Sequence, residues 1–228
     1  MDPTAPAQLS AAELIALVET VFAPAATERR LAILVDLPDH EVPDAPPWRQ
    51  RRTMAASWAA ALADAAGLEC ALFCFRNARM SNADLPPQVW RQAAEPLPAS
   101  ADHLAAADAL PIERVFDGYP LLLAPTEFSA TAPLKLAARR HGFRAATMPG
   151  FSPQMIPALR LDYAEIDRRV RLLKARLDRA TAARLQLVVD GTVEHSLRLD
   201  LRHRQAHASG GLLREPGTAG NLPSGEAY

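Results

Sequence analysis

Leu31-Ala32-Ile33-Leu34-Val35 is apolar at every position and lies between Arg29-Arg30 and Asp36-Leu37-Pro38. A strand with one wet face alternates apolar and polar residues. A run with no polar position predicts a strand buried on both faces, as in a parallel sheet covered by helices. Further short apolar runs occupy Leu68–Phe75, Tyr119–Ala124 and Phe143–Met148. Helical patterns alternate with them. Ser10-Ala-Ala-Glu13 has capping-box spacing, and Leu14, Leu17, Val18 and Val21 follow at helical intervals. A second helix is expected from near Trp48 to Ala66 with its stop at Gly67, and a third from about Ala132 to His141 with its stop at Gly142. Strands alternating with helices predict an α/β domain over residues 1–160, built on a mainly parallel sheet with flanking helices. Between Arg76 and Asp117, Pro86, Pro87, Pro96 and Pro98 break up the pattern, leaving a short helix around Ala101–Ala107.

After Asp162 the character changes. Asp162 is placed to cap a long helix through Ala180 with Ile166, Val170, Leu173 and Leu177 as its apolar stripe. Leu185–Val189, Asp190-Gly191 and Thr192-Val193 then read as strand, turn and strand. In the second strand Val193, His195, Leu197, Leu199 and Leu201 share one face, and Glu194, Ser196, Arg198 and Asp200 the other. Residues 161–228 therefore read as the beginning of an α+β domain. A hairpin by itself is marginal in water, so the domain is expected to be incomplete. Its uncovered apolar face predicts self-association into a homo-oligomer.

Charge excludes some partners. The chain has 25 Lys+Arg against 26 Asp+Glu, so no global field favours nucleic acid or an anionic membrane. No window approaches the roughly 18 apolar residues of a membrane span, and the amino terminus lacks the pattern of a secretory signal. Cys70 and Cys74, on one strand, stand about 13 Å apart at ~3.3 Å per residue, too far for a disulfide. Free thiols fit a cytoplasmic location.

Several residues invite a functional reading and receive a plainer one. His203 and His207 are four apart, but no glutamate follows the first, and they extend a strand. His195 lies on the apolar strand face and is expected to be partly buried packing. Arg168, Arg169, Arg171, Lys174, Arg176 and Arg179 are interleaved with Glu165, Asp167 and Asp178, which describes a solvated helix face better than a nucleic-acid site. Thr126-Glu-Phe-Ser129 follows a buried strand, where open α/β sheets place ligands, without a glycine-rich phosphate loop.

The stretch Gly211-Leu-Leu-Arg-Glu-Pro-Gly-Thr-Ala-Gly-Asn-Leu-Pro-Ser-Gly-Glu226 resembles the aminopeptidase T-type (thermophilic) metallo-aminopeptidases, most distinctively in Asn221–Glu226. Leu123-Ala-Pro-Thr126, Ala146-Thr-Met-Pro-Gly150 and the Asp162–Asp178 helix with the hairpin after it resemble that family more loosely. The resemblance implies an N-terminal α/β domain, a catalytic domain with two divalent cations (zinc or cobalt), release of N-terminal residues from a peptide substrate, and Glu226 as a metal ligand. Asn221, Pro223 and Gly225 are expected to shape the loop. The family's other ligands lie downstream, and this chain ends two residues after Glu226, so a truncated, inactive hydrolase is expected, as a two-metal site needs several converging ligands. Two alternatives stand beside it. One is a non-catalytic ligand- or partner-binding α/β protein, or a gene remnant. The other is a relative of the ring-cleaving dioxygenases of dihydroxypyridines, which share a similar element and would use iron.

Overall fold

The computed structural model describes residues 8–63, 67–93 and 96–228. In chain order its elements are α1 (Ala11–Phe22), β1 (Arg30–Leu37), α2 (Pro46–Ala63), β2 (Glu69–Arg76), β3 (Gln88–Gln92), β4 (Leu110–Pro111), α3 (Glu113–Gly118), β5 (Leu121–Ala124), α4 (Thr131–His141), β6 (Arg144–Thr147), α5 (Ile156–Leu159), α6 (Tyr163–Leu177), β7 (Ala182–Val189), β8 (Thr192–Asp200), β9 (Ala208–Ser209), β10 (Ala219–Asn221) and β11 (Glu226–Ala227). They form two compact units. The first holds the residues up to Tyr163 together with Gly211–Pro223, and the second holds Ala164–Gly210 and Ser224–Tyr228.

The first unit is a sheet in the order β10-β6-β5-β1-β2-β3-β4. From β10 to β2 neighbouring strands are parallel, whereas β3 runs antiparallel to β2 and β4 antiparallel to β3. The all-apolar run sits at the centre: Leu31 to Val35 are at most 1% exposed. Pleating sends alternate residues to opposite faces. Ala32 and Leu34 join Phe73, Leu122, Phe116, Leu134 and Ala138 in one core beneath α3 and α4. Leu31, Ile33 and Val35 face the other way, where α2 packs on β1 and β2 and α1 packs on α2. From β1 the chain crosses through α2 to β2 on one side, and from β5 through α4 to β6 on the other. Crossovers of one hand that step in opposite directions put their helices on opposite faces.

The local signals act as the sequence predicts. Ser10 and Glu13 close a capping box on α1, and Gly142, at φ +81°, ends α4 with its N–H on the Ala138 carbonyl. The antiparallel edge strands β3 and β4 were hidden among the prolines, and the short helix expected near Ala101–Ala107 is two separate 3-10 turns. The expected extension of α2 through Ala66 falls on residues outside those described. No helix among the described residues is long and apolar enough to cross a membrane.

The amino-terminal ends of the strands are tied by Arg144, which is 2% exposed. Its Nη1 donates to the carbonyls of Phe22 (2.6 Å) and Arg214 (3.2 Å), and its Nη2 pairs with Glu28 at 2.6 Å. One guanidinium thus holds the end of α1, the turn before β1 and the returning segment 211–223, which adds β10 beside β6. The sequence-based boundary at residue 160 did not foresee this return.

In the second unit α6 ends at Leu177, short of Ala180. Its arginines are ion-paired along the helix: Arg168 and Arg169 with Glu165, Arg171 with Asp167, Lys174 with Asp178. β7 and β8 form a two-stranded antiparallel sheet around Asp190-Gly191, with a bulge at Leu187/Val188. β9 and β11 form a second small pair.

Gly211 opens the returning segment against the buried Tyr163 ring. Its φ is +80°, and a Cβ there would stand 2.5 Å from the buried Tyr163 ring. The substitution Gly211→Ala combines a strained backbone with overpacking, so it is expected to lower the unfolding free energy by about 2–4 kcal/mol, read as a fall in the urea midpoint with unchanged m. A midpoint equal to wild type would show that the Gly211–Tyr163 approach is not a constraint.

Candidate functional site

In an open α/β sheet, ligands bind at the carboxyl ends of the strands where successive crossovers diverge, since the loops there part and leave a crevice. Here that point lies between β1 and β5. The chain brings Asp36 to it from the end of β1, Trp48 and Arg51 from α2, and Thr126-Glu127-Phe128 from the loop after β5.

Asp36 is 1% exposed, and its carboxylate is filled by donors. It accepts the Glu127 N–H (2.8 Å), the Phe128 N–H (3.0 Å) and the Trp48 indole N–H (3.0 Å). Burial pushes its pKa up to about 6, against the pull of those donors and of the Arg51 charge. Trp48 meets the Phe128 ring edge-on at 5.8 Å, and the Thr126 hydroxyl donates to the Phe128 carbonyl. Arg51 is itself buried. Its Nε donates to the Phe151 carbonyl at 2.8 Å, and its Nη1 binds the Glu127 carboxylate. The Glu127 side chain, about one-third exposed, carries this network to the surface.

Toward β6 a second polar group lines the same end of the sheet. Asn221 Oδ1 accepts from the hydroxyls of Thr131 and Thr147, both at 2.9 Å, and those hydroxyls lie 2.8 Å apart. The Leu222 N–H continues the contact to the Thr147 carbonyl. Asn82 Oδ1 accepts the Ala132 N–H at the start of α4, where Ala130 provides no side-chain cap. Asn221, expected to shape a loop, therefore pins the edge of the sheet.

Chemically, this end of the sheet carries a carboxylate–guanidinium pair and a hydroxyl–amide group, with the Glu127 carboxylate as the partly exposed member. Asp36 titrates where a proton carrier would, but its oxygens already have partners and solvent does not reach it. Its role is to position the Glu127 loop. Sequence reasoning singled out Thr126–Ser129 and missed Asp36 and Arg51. The available signals were a carboxylate closing an all-apolar strand and a cation within an Ala-rich helix.

The other candidates lie elsewhere. Glu226 is exposed on β11, paired through its backbone with Ser209. Among the described residues no three His, Cys, Asp or Glu side chains come together as a metal-binding group, so the donors present do not fit the implied pair of cations. His203 sits in a turn at φ +64° instead of extending β8. His207 exchanges backbone hydrogen bonds with Tyr228 and packs on its ring. His195, expected to be partly buried, is exposed because no layer covers that face of the hairpin. Cys70 and Cys74 are free, and burial pushes both thiols up to about 12.

Replacing the Asp36 carboxylate leaves the buried Glu127 and Phe128 N–H groups without an acceptor, while the Trp48 indole keeps the Asp36 main-chain carbonyl at 3.1 Å. Asp36→Ala is expected to cost about 3–5 kcal/mol of stability and Asp36→Asn less. The native pKa of about 6 lies above the unfolded value of about 4, so the native state takes up the proton first. The contribution of this group is greatest below the unfolded pKa and is lost as pH rises through 6. The stability of wild type relative to Asp36→Asn should accordingly grow as pH falls from about 7 to 5, followed by denaturant titration at each pH. A difference independent of pH would contradict this account of Asp36.

No known family profile matches the chain, and no curated protein matches it. A solved structure does: the 2,5-dihydroxypyridine dioxygenase from Pseudomonas putida KT2440, with a TM-score of 0.54 and 16% identity over 96% of this chain and 55% of that one. The chain thus spans about half the length of that protein, and the likeness is one of fold. These findings correct the expected membership of the aminopeptidase T-type family, which rested on the stretch ending at Glu226. That stretch is not one structural element: Asn221–Pro223 belongs to the first unit and Ser224–Glu226 to the second. At the level of fold, this chain is similar to a dihydroxypyridine dioxygenase.

Proposed function

We propose that this chain supplies the α/β framework of a ring-cleaving oxygenase acting on a small hydroxylated nitrogen heterocycle. The observation that carries this reading is the extent of the fold likeness, which runs over 96% of the chain and is therefore not confined to a generic parallel sheet. The carboxyl end of the sheet supports it through Glu127, whose partly exposed carboxylate is the polar group there that reaches the surface. Such an enzyme opens the ring by adding both atoms of dioxygen, with iron as the expected metal. The donors around Glu226 do not form that site by themselves, so no catalytic step is assigned to Glu226. A reducing, cytoplasmic setting suits the two free thiols.

A second reading is a binding domain without catalysis. It is favoured by one feature: Asp36 and Arg51 are saturated by the protein's own groups.

Oxygen uptake separates the two. The protein expressed from its native reading frame is mixed with ferrous iron and 2,5-dihydroxypyridine in an oxygen electrode, and Trp48 fluorescence is followed in parallel. The proposal expects consumption of one dioxygen per heterocycle, reduced at least 10-fold in Glu127→Gln (roughly 1.4 kcal/mol). A fluorescence change with no uptake would favour the binding domain, and neither response would overturn both.

A further inference from the structure

Two arginines of α2 take no part in the network at the end of β1. Trp48 and Arg51 reach Asp36 and Glu127, whereas Arg49 and Arg52, the residues that follow them, converge on Asp44 in the loop before the helix. Arg52 is buried and gives both terminal nitrogens to the two Asp44 oxygens, at 3.0 and 3.1 Å. Arg49 gives Asp44 only its Nε, at 2.8 Å, and its side chain is 66% exposed. Among the described residues its two Nη groups have no partner. Arg49, Arg52, Thr53 and Ala56 are spaced i, i+3, i+4 and i+7, which puts them on one face of the helix. Segment 96–99 lies across that face, and together with Asp44 they line a cleft of about 400 Å³.

We propose that this cleft binds a small organic monocarboxylate, with its carboxylate on Arg49 and a compact apolar body against Leu97. The terminal nitrogens of a guanidinium present two N–H donors at the spacing of a carboxylate's oxygens. Asp44 already holds this guanidinium through its Nε, so part of the ordering cost of binding is met in advance. Charge selects a monoanion: two guanidiniums against the single Asp44 carboxylate leave one net positive charge in the lining, and a second negative charge would face Asp44 unpaired. The opposite wall selects the body. Pro96 and Pro98 have no N–H to offer, and Leu97, Ala99 and Ala56 add only apolar side chains. The volume is at the low end for small-molecule sites, which suits one ring. Glu127 does not line this cleft, so its occupancy is measured apart from any oxygenase activity.

Benzoate is the probe, titrated into the full chain without iron and followed by calorimetry and by the NMR shifts of the Arg49 Nε–H and the Leu97 amide. A dissociation constant of about 0.1–5 mM is expected. Benzamide, its neutral isostere, should bind at least ~10-fold more weakly. Arg49→Gln should weaken benzoate by a similar factor and Arg49→Lys by less, because lysine keeps the charge and loses the fork. Arg49 is exposed, so circular dichroism of both variants should match wild type. The benzamide comparison uses wild type alone and stands whatever the variants do. No shift with benzoate at about 20 mM, equal affinity for benzamide, tighter binding of phenyl phosphate, or a benzoate affinity unchanged in a folded Arg49→Gln would each overturn the assignment.

Discussion

Taking the Asp36 carboxylate out of water costs several kcal/mol unless it is met by donors on every side. At the end of β1 it is met by the backbone of the β5 loop and by the indole of α2. The consequence is architectural. The strand before the switch point, the helix that crosses to one side and the loop of the strand on the other side share one buried charge, so none can shift without exposing an unpaired group. Arg51 extends the same logic, with one bond to the Phe151 carbonyl and another to the Glu127 side chain. The segments at this end of the sheet are held together because they are each other's hydrogen-bond partners.

The opposite end of the sheet repeats the device with the sign reversed. There a buried cation, Arg144, gathers the Phe22 and Arg214 carbonyls and the Glu28 carboxylate. Segment 211–223, distant in sequence from the other strands, is thereby held as the edge strand β10, and the Thr131–Thr147–Asn221 hydroxyl–amide group fixes its far end. Apolar burial drives the sheet together, but it is non-directional. The two buried charges and the hydroxyl group are what specify which segment lies beside which.

How much of this was legible depended on whether the signal was local. The run Leu31–Val35, the Ser10/Glu13 cap and the Gly142 stop are readable because pleat, cap and left-handed turn each need particular residues at adjacent positions. β3 and β4 were not, because short edge strands flanked by prolines carry little periodicity. The return of β10 was invisible for another reason: Ala219-Gly220-Asn221 has no strand pattern, and its place is set by Arg144 and Thr147, more than 70 residues earlier. The same holds at the site. Thr126–Ser129 could be suspected from its position after a strand, whereas the partnership of Asp36 with Trp48 and of Arg51 with Glu127 joins residues 12 and 76 apart. The Asn221–Glu226 stretch misled because a contiguous string was read as a single functional element, when its halves serve different units.

The second unit obeys a different balance. Along α6 its charges are paired at i,i+3 and i,i+4 spacing on an exposed surface, where solvent screening leaves each pair little net stability. Its hairpin has a backbone ladder interrupted by one bulge and little buried apolar area to offset the entropy of ordering some 17 residues, roughly 1–2 kcal/mol each. Backbone hydrogen bonds alone return little net stability, because the unfolded chain makes them to water. With its aliphatic side chains about half exposed, the hairpin draws little of its stability from burial. The first unit carries its specificity in buried charges, whereas the second rests on surface ion pairs and a short backbone ladder.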